Sequence, residues 1–133
     1  MKNNELEYSF GEIHEYAVNC LVATTDSKYL FSVSDDGSLK QWNIKEKKIE
    51  KDYARVHDDC IKVVVITPDD KYLFTGSDDK TIKMWDISSR CLFYDFKIVH
   101  NDWIRKMAIS SCGEYLLSVC EDNILKQLYI SQR

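Results

Sequence analysis

Three sets of side chains along this chain have the chemistry of a hydrolase triad. Each set has a histidine, a hydroxyl residue 18 positions later and an aspartate 22 positions later. A histidine oriented by a carboxylate can take the proton of a hydroxyl and turn it into a nucleophile. The sets are His14, Ser32 and Asp36; His57, Thr75 and Asp79; and His100, Ser118 and Asp122. A catalytic triad is built once per active site, with its own pocket and oxyanion donors, so threefold repetition predicts a structural role and no enzyme activity.

The three sets belong to one repeat of 43 residues. The same spacing aligns other columns, which include Tyr29, Tyr72 and Tyr115; Lys40, Lys83 and Lys126; and Trp42, Trp85 and Leu128. Self-similarity at a fixed period of this length is the signature of a repeat architecture. We therefore interpret the chain as a single repeat segment, residues 1–133. It has an outer strand at about 5–13 and repeats at about 14–56, 57–99 and 100–133.

The second repeat shows the strands of the unit most clearly. Residues 60–66 are almost wholly apolar and rich in β-branched side chains, and they end at the turn 67–70, which contains the only proline. Residues 72–77, 81–87 and 91–96 provide three further strand patterns. Each repeat is therefore predicted to be a four-stranded antiparallel meander, and the fold class is all-β.

The second repeat resembles a WD40 repeat in its residue types and in their spacing. The resemblance rests on His57, the turn 67–70, residues 75–84 and the pair Trp85-Asp86. It implies blades of a β-propeller, whose strands radiate from a central axis and whose rings close with about 4–8 blades. Three departures from the family pattern are local: Val56 and Val99 stand where the family has the glycine before histidine, Asn43 replaces the aspartate of Trp-Asp, and Leu128-Tyr129 replaces the whole pair.

The resemblance also implies a role for the repeated triads, as a buried hydrogen-bond relay. In the second repeat it would run from the Trp85 indole to the Thr75 hydroxyl, then to His57 and Asp79. Trp42, Ser32, His14 and Asp36 take the same roles in the first repeat; Ser118, His100 and Asp122 take them in the third. Ser34, Ser77 and Cys120 lie two residues further along the same strand face and remain alternatives for the hydroxyl position.

Three blades are too few to close a ring. The apolar positions of residues 5–13 align with those of the fourth strand of the first and second repeats, and the last blade lacks a fourth strand of its own. We therefore expect a homodimer in which each chain completes the last blade of the other, forming a six-bladed ring. The alternatives are a nine-bladed trimer and a fragment of a longer, seven-bladed protein.

The predicted function is a non-catalytic scaffold that binds protein or peptide partners through propeller loops. Candidate contact residues lie just after each repeat histidine: Tyr16, Asn19, Asp59, Lys62, Asp102, Trp103 and Arg105. Trp103 is the strongest candidate, because tryptophan is enriched at binding hot spots, although it could equally pack between blades. The alternative is a purely architectural subunit that only assembles with other chains.

Composition limits the possible partners, cellular location, metals and cofactors of the protein. The formal net charge is -4 and there is no basic block, so nucleic acid is not an expected partner. No apolar run approaches the roughly 20 residues that span a membrane, and no secretory signal begins the sequence, so we expect an intracellular protein, cytoplasmic or nuclear.

Five cysteines without a C-x-x-C pair, and histidines in different repeats, predict reduced thiols, no metal and no cofactor. The adjacent pairs Asp35-Asp36 and Asp78-Asp79 are expected to cap turns and face solvent.

Overall fold

Eleven β-strands form three separate antiparallel sheets in the computed structural model, which describes residues 4–130. The first sheet contains β1 (Val18–Ala23), β2 (Tyr29–Ser34), β3 (Ser38–Asn43) and β4 (Lys48–Arg55). The second contains β5 (Ile61–Ile66), β6 (Tyr72–Ser77), β7 (Thr81–Asp86) and β8 (Cys91–Ile98). The third contains β9 (Ile104–Ile109), β10 (Tyr115–Cys120) and β11 (Leu125–Tyr129). Within residues 4–130 there is no helix, and so none that could cross a membrane.

Each sheet is one blade, with strands paired in chain order, so the all-β propeller prediction is confirmed. The prediction of three four-stranded blades holds for blades 1 and 2, whereas blade 3 has three strands within the described residues. The first strands β1, β5 and β9 lie side by side, as the innermost strands of a propeller do. The ring is not closed by this chain.

A recurrent tight turn joins the first two strands of every blade. In blade 2 the Thr67 N–H donates to the Tyr72 carbonyl at 2.9 Å, and the Asp70 N–H donates to the Thr67 carbonyl at 3.0 Å. Asp70 has a positive φ of 62°, and Gly113 has the same role in blade 3 with a φ of 76°. Aspartate and glycine tolerate this left-handed conformation, which explains why they occupy the turn.

The hydrophobic core lies between blades. One cluster joins Phe31 and Val33 of blade 1 to Ile61 and Leu73 of blade 2. A second cluster joins blade 2 to blade 3, and its fully buried members are Phe74, Ile82, Met84, Ile104 and Leu116. Strand side chains alternate between the two faces of a sheet, so blade 2 contributes to both clusters and is covered on both sides.

The predicted outer strand at residues 5–13 is not formed. Residues 5–13 have no strand pairing in the structure, because this chain supplies no third-type strand beside them for them to pair with. Their packing nevertheless follows the repeat: Phe10 contacts Trp42 edge to face with ring centroids 5.8 Å apart, as Tyr53 contacts Trp85 at 5.5 Å. Lys47 also pairs with Glu7 at 3.6 Å. The segment therefore occupies the place of a preceding blade's outer strand without its hydrogen bonds.

Candidate functional site

The second repeat contains the complete relay. The Trp85 indole Nε1–H donates to the Thr75 hydroxyl at 3.1 Å, and the Thr75 hydroxyl lies 2.8 Å from His57 Nε2. His57 Nδ1 lies 2.9 Å from an Asp79 carboxylate oxygen. These distances fit a neutral imidazole that accepts from Thr75 at Nε2 and donates from Nδ1 to Asp79. The relay joins strands β6 and β7, the turn between them and the loop before β5.

Hydrogen bonds keep the Asp79 carboxyl ionised. Its burial opposes ionisation, but donors from His57 and Thr81 outweigh that cost and hold the pKa of Asp79 well below its usual value. The Thr81 hydroxyl donates to one carboxylate oxygen, and the Asp58 N–H donates to the other at 3.1 Å. A partly buried carboxylate with this many donors is a structural element of the turn.

The first repeat has a longer relay than expected. Ser32 accepts from Trp42 Nε1 at 2.9 Å and lies 2.7 Å from His14 Nε2, which matches the second repeat. His14 Nδ1, however, contacts the Ser38 hydroxyl at 2.8 Å, and that hydroxyl donates to Asp36. The direct bond between histidine and aspartate expected here is therefore wrong, because Ser38 is inserted between the two groups.

The third repeat has only part of the relay. His100 Nε2 lies 2.7 Å from the Ser118 hydroxyl, but the side chain of Leu128 has no N–H to donate to that hydroxyl. His100 Nδ1 is buried without a hydrogen-bond partner among the described residues. Asp122 instead accepts from the Cys120 thiol and from the Ile124 N–H. The expected bond between His100 and Asp122 is therefore absent from the described part of the chain.

The hydroxyls that contact Nε2 of the histidines are Ser32, Thr75 and Ser118, whose side chains are buried. Of the alternatives, Ser77 donates to the Cys60 carbonyl at 2.8 Å, and Ser34 accepts from the Asp36 N–H at 3.3 Å. A buried hydroxyl inside a sheet interface has no path to a substrate, so the geometry of these sets favours structure over nucleophilic chemistry.

A second recurrent contact was not predicted from the sequence. The lysine of each third strand donates to the backbone carbonyl of the residue just before the repeat histidine: Lys40 to Ile13 at 2.8 Å, Lys83 to Val56, and Lys126 to Val99 at 2.7 Å. We call these contacts the lysine clamps. The column of lysines is visible in the sequence, but nothing in it indicates a backbone acceptor 27 residues earlier.

The first strand of every blade carries a β-bulge at one polar residue. The register skips Asn19 in β1, Lys62 in β5 and Arg105 in β9. A bulge leaves one residue unpaired and redirects its side chain. We call the end of the blades that carries these three residues the bulge end.

Each bulge residue faces an acidic residue that follows the second strand. Asn19 donates to Asp35 at 2.7 Å and to the Ile61 carbonyl of the next blade at 2.9 Å. Lys62 lies 3.7 Å from Asp35 and 3.9 Å from Asp78, so it bridges blades 1 and 2. Arg105 pairs with Glu121 at 3.5 Å. These contacts hold the side chains of the bulge end in place.

The other predicted contact residues also lie at the bulge end. The carbonyl of Trp103 accepts from the Glu121 N–H, which places the tryptophan beside the Arg105 pair. Trp103 is 49% exposed and Tyr16 is 64% exposed, and neither has an aromatic ring contact among the described residues. Asp59 and Asp102 each accept from the N–H of the following residue. The structure therefore brings the predicted contact residues to one end of adjacent blades.

The expectation that the aspartate pairs face solvent is wrong for the second pair. Asp78 is 6% exposed, because its backbone N–H donates to the Cys60 carbonyl and draws the residue against β5. Burial raises the pKa of Asp78, and the Lys62 ammonium opposes that effect only in part. Burial, reinforced by the neighbouring Asp35 carboxylate, likewise raises the pKa of the Cys60 thiol to about 11.

Comparison with known proteins agrees with this geometry. The sequence matches the WD40 family, described as WD domain, G-beta repeat, over residues 5–43, 52–86 and 93–127. The chain belongs to the WD40 family. The predicted resemblance to three WD40 repeats is thus confirmed. No curated protein has a significant sequence match to the chain.

Two solved structures share the fold of this WD40 chain. The crystal structure of RRP9 WD40 repeats superposes with a TM-score of 0.84 at 26% identity, over 90% of this chain and 37% of that one. The structure of U3-55K superposes with a TM-score of 0.77 at 24% identity, over 91% of this chain and 42% of that one. The WD40 chain therefore spans less than half the length of these structures.

Proposed function

We propose that this WD40 chain is a non-catalytic interaction scaffold that binds a protein or peptide partner at the bulge end. The observation that supports the proposal most strongly is the half-exposed Trp103, which immediately precedes β9 and stands beside the Arg105 to Glu121 pair. Tryptophan and arginine are the residue types most enriched at binding hot spots. Because the bulges fix the neighbouring polar groups, little side-chain conformational entropy is lost on binding, which favours affinity.

The charges of the bulge end favour a basic partner. The two basic side chains Lys62 and Arg105 pair with Asp35, Asp78 and Glu121, and two further carboxylates of the bulge end, Asp59 and Asp102, have no basic partner among the described ion pairs. Surplus negative charge around exposed aromatics attracts lysine and arginine side chains, which can also stack on the indole ring. We therefore propose a peptide segment rich in lysine or arginine as the partner, which agrees with the absence of a basic patch for nucleic acid.

The test compares two exposed aromatics at different places. Trp103→Ala is expected to weaken the binding of fluorescent Lys/Arg-rich peptides at least tenfold, while the thermal unfolding curve stays unchanged. The control is Tyr94→Ala, which removes an exposed aromatic from the outer strand β8 and is expected to leave peptide binding intact. Loss of folding in Trp103→Ala would mean that the ring packs between blades and would contradict the proposal. Equal binding by both variants and the original chain would contradict it as well.

A second proposal concerns the assembly of the ring. We propose a homodimer with six blades, in which residues 5–13 of each chain pair with β11 of the other. The free edge of β11 supports this, as do the exposed Leu6 and Tyr8, because an unpaired strand edge and an exposed apolar segment both favour pairing with another chain. The register of blades 1 and 2, Lys40 with Asp52 and Lys83 with Asp95, predicts that Lys126 would face Ser9 of the second copy.

Light scattering after size exclusion tests this assembly. The homodimer predicts twice the chain mass of 15.6 kDa, and deletion of residues 1–10 should return the mass to that of one chain. A single-chain mass for the intact protein would contradict the homodimer and favour the alternative, a part of a longer seven-bladed protein. A purely architectural subunit would give a defined assembly without peptide binding, so the two tests together separate these functions.

A further inference from the structure

Three potential metal ligands meet at the bulge end of blade 2. Cys60 immediately precedes β5 and Asp78 immediately follows β6, and the Asp78 N–H donates to the Cys60 carbonyl at 2.8 Å. One ligand atom each from Asp59, Cys60 and Asp78 lies within 4.8 Å of the others. Within residues 4–130 no other group of three or more histidine, cysteine or acidic side chains meets in this way. The cluster plays no part in the relay.

The side chain of Asp78 is the strongest indication that something binds here. It is more than nine-tenths buried, and its Oδ1 atom has no hydrogen-bond partner among the described residues. The nearest cation, Lys62 Nζ, lies 3.9 Å from the other oxygen and is shared with Asp35. A buried carboxylate oxygen without a partner is costly, and a bound cation would remove that cost.

We propose that Asp59, Cys60 and Asp78 bind a divalent metal ion, and that the ion is Zn²⁺. A thiolate is a soft ligand and a carboxylate is a hard one. A set of one thiolate and two carboxylates suits zinc better than magnesium or calcium. Zinc binds three such groups and keeps a fourth position for water. On binding, a Zn–S bond forms, the S–H bond of Cys60 breaks, and the thiol proton passes to solvent.

To bind zinc, the three ligand atoms need to move only slightly closer together. Tetrahedral zinc with sulfur at about 2.3 Å and oxygen at about 2.1 Å separates its ligand atoms by roughly 3.6 Å. Cys60 and Asp78 are tied together through the backbone, whereas Asp59 is exposed and can rotate towards them. The equivalent positions of the other repeats, Tyr16 with Ala17 and Asp102 with Trp103, lack this donor set, so the site is specific to blade 2.

Cobalt titration of the full chain tests the proposal without any peptide partner, so failure here leaves the proposed scaffold function untouched. Co²⁺ is expected to bind with a stoichiometry of one per chain and to produce a sulfur-to-cobalt charge-transfer band in the near ultraviolet, which Zn²⁺ then abolishes by displacement. Zn²⁺ affinity is measured in parallel by competition with a chromophoric chelator.

Four variants decide the outcome. Cys60→Ser should abolish the charge-transfer band, and the isosteric Asp78→Asn should weaken Zn²⁺ binding at least tenfold. Lys62→Gln removes the competing ammonium and should tighten binding severalfold. The matched control Cys91→Ser removes an exposed cysteine of β8 and should change nothing. Absence of stoichiometric binding would overturn the proposal. Equal loss in Cys91→Ser, or unchanged affinity in both Cys60→Ser and Asp78→Asn, would overturn it too.

Discussion

His100 has an incomplete set of hydrogen bonds. Its Nε2 atom has the Ser118 hydroxyl, but its buried Nδ1 atom has no partner among the described residues. In the other repeats the corresponding nitrogen contacts a hydroxyl at the start of the third strand, from Ser38 at 2.8 Å or Thr81 at 3.1 Å. Ile124 occupies that position in the third repeat. The defect of the third relay therefore comes from a neighbouring side chain as well as from Leu128.

Ile124→Thr is expected to repair this defect. The backbone already matches, because the Ile124 N–H donates to Asp122 at 3.1 Å as the Thr81 N–H donates to Asp79 at 2.9 Å. A threonine hydroxyl would satisfy Nδ1 and raise the free energy of unfolding by about 1 kcal/mol. Ile124→Val, which has the same shape without the hydroxyl, is the control. Urea unfolding checks both variants, and equal stability of the two would refute the explanation.

At the residue scale, the sequence predicted the members of the relay better than their contacts. The columns of histidine, hydroxyl and aspartate identified the groups that meet, since a fixed period places equivalent residues in equivalent positions. The Ser38 insertion could not be foreseen, because the equivalent hydroxyl of Thr81 leaves the direct bond between histidine and aspartate in place. The unpartnered nitrogen of His100 follows from Ile124, which stands in the column of Ser38 and Thr81 and was overlooked. The burial of Asp78 was missed because a turn position carries no sign of the carbonyl that draws it inward.

Blade 2 packs against blade 3 through a position where only glycine fits. A Cβ atom on Gly76 would lie 2.9 Å from Ile104 Cγ2 and 3.0 Å from Val63 Cγ1. The equivalent residues of the other blades, Val33 and Val119, have full side chains. Close approach of β6 to β9 therefore depends on the missing side chain of Gly76.

Gly76→Ala is expected to push these blades apart and lower the free energy of unfolding by about 1–3 kcal/mol. The methyl group enters a space already filled by Ile104, so the cost should shrink when Ile104→Ala is also present. A double-mutant cycle measured by urea unfolding checks this coupling. Strictly additive losses would show that the two side chains do not compete for the same space.

At the element scale, the strands within the blades were predictable, whereas the predicted pairing of residues 5–13 involves a second chain and stays a prediction. Residues 72–77 form β6 as predicted, because β-branched and aromatic side chains between turn residues leave few alternatives. Residues 5–13 have the apolar pattern of a fourth strand but no strand beside them. Pattern alone predicts what a segment can pair with, whereas actual pairing depends on a partner being present.

The stability of the whole molecule should fall as the pH falls from about 7 to about 5. Burial, reinforced by the Lys40 ammonium, lowers the pKa of His14, and burial with Lys126 does the same for His100. Below the ordinary histidine pKa of about 6.5, the unfolded chain therefore binds more protons than the folded one, and unfolding becomes easier. The low pKa of Asp79 acts separately, because its contribution persists until the pH drops below about 4.

Urea unfolding at a series of pH values checks this dependence. The double variant His14→Gln with His100→Gln removes both titrating groups and should lose most of the slope between about pH 7 and pH 5. Both proteins are compared at one chain concentration, since assembly would otherwise change apparent stability. A slope that survives in the double variant would assign the effect to other groups.

At the scale of the whole molecule, the family and the architecture followed from the sequence, while ring closure did not. The period of 43 residues and the pair Trp85-Asp86 were enough to indicate propeller blades. The number of blades in the finished ring depends on what packs against the open flanks of blades 1 and 3. Partner chemistry likewise depends on the bulge end, whose register shifts at Asn19, Lys62 and Arg105 leave no trace in the sequence pattern.

The lysine clamps have a consequence for how such a chain can change in length. Lys83 holds the Val56 carbonyl and Lys126 holds the Val99 carbonyl, so each clamp crosses the junction between two copies of the repeat. If unequal crossing-over removed or added 43 residues, the junction would contain the equivalent residue of another repeat. Every clamp would keep an acceptor wherever the breakpoint fell. The ancestry of such a chain can therefore include gains and losses of whole blades that leave every lysine clamp formed.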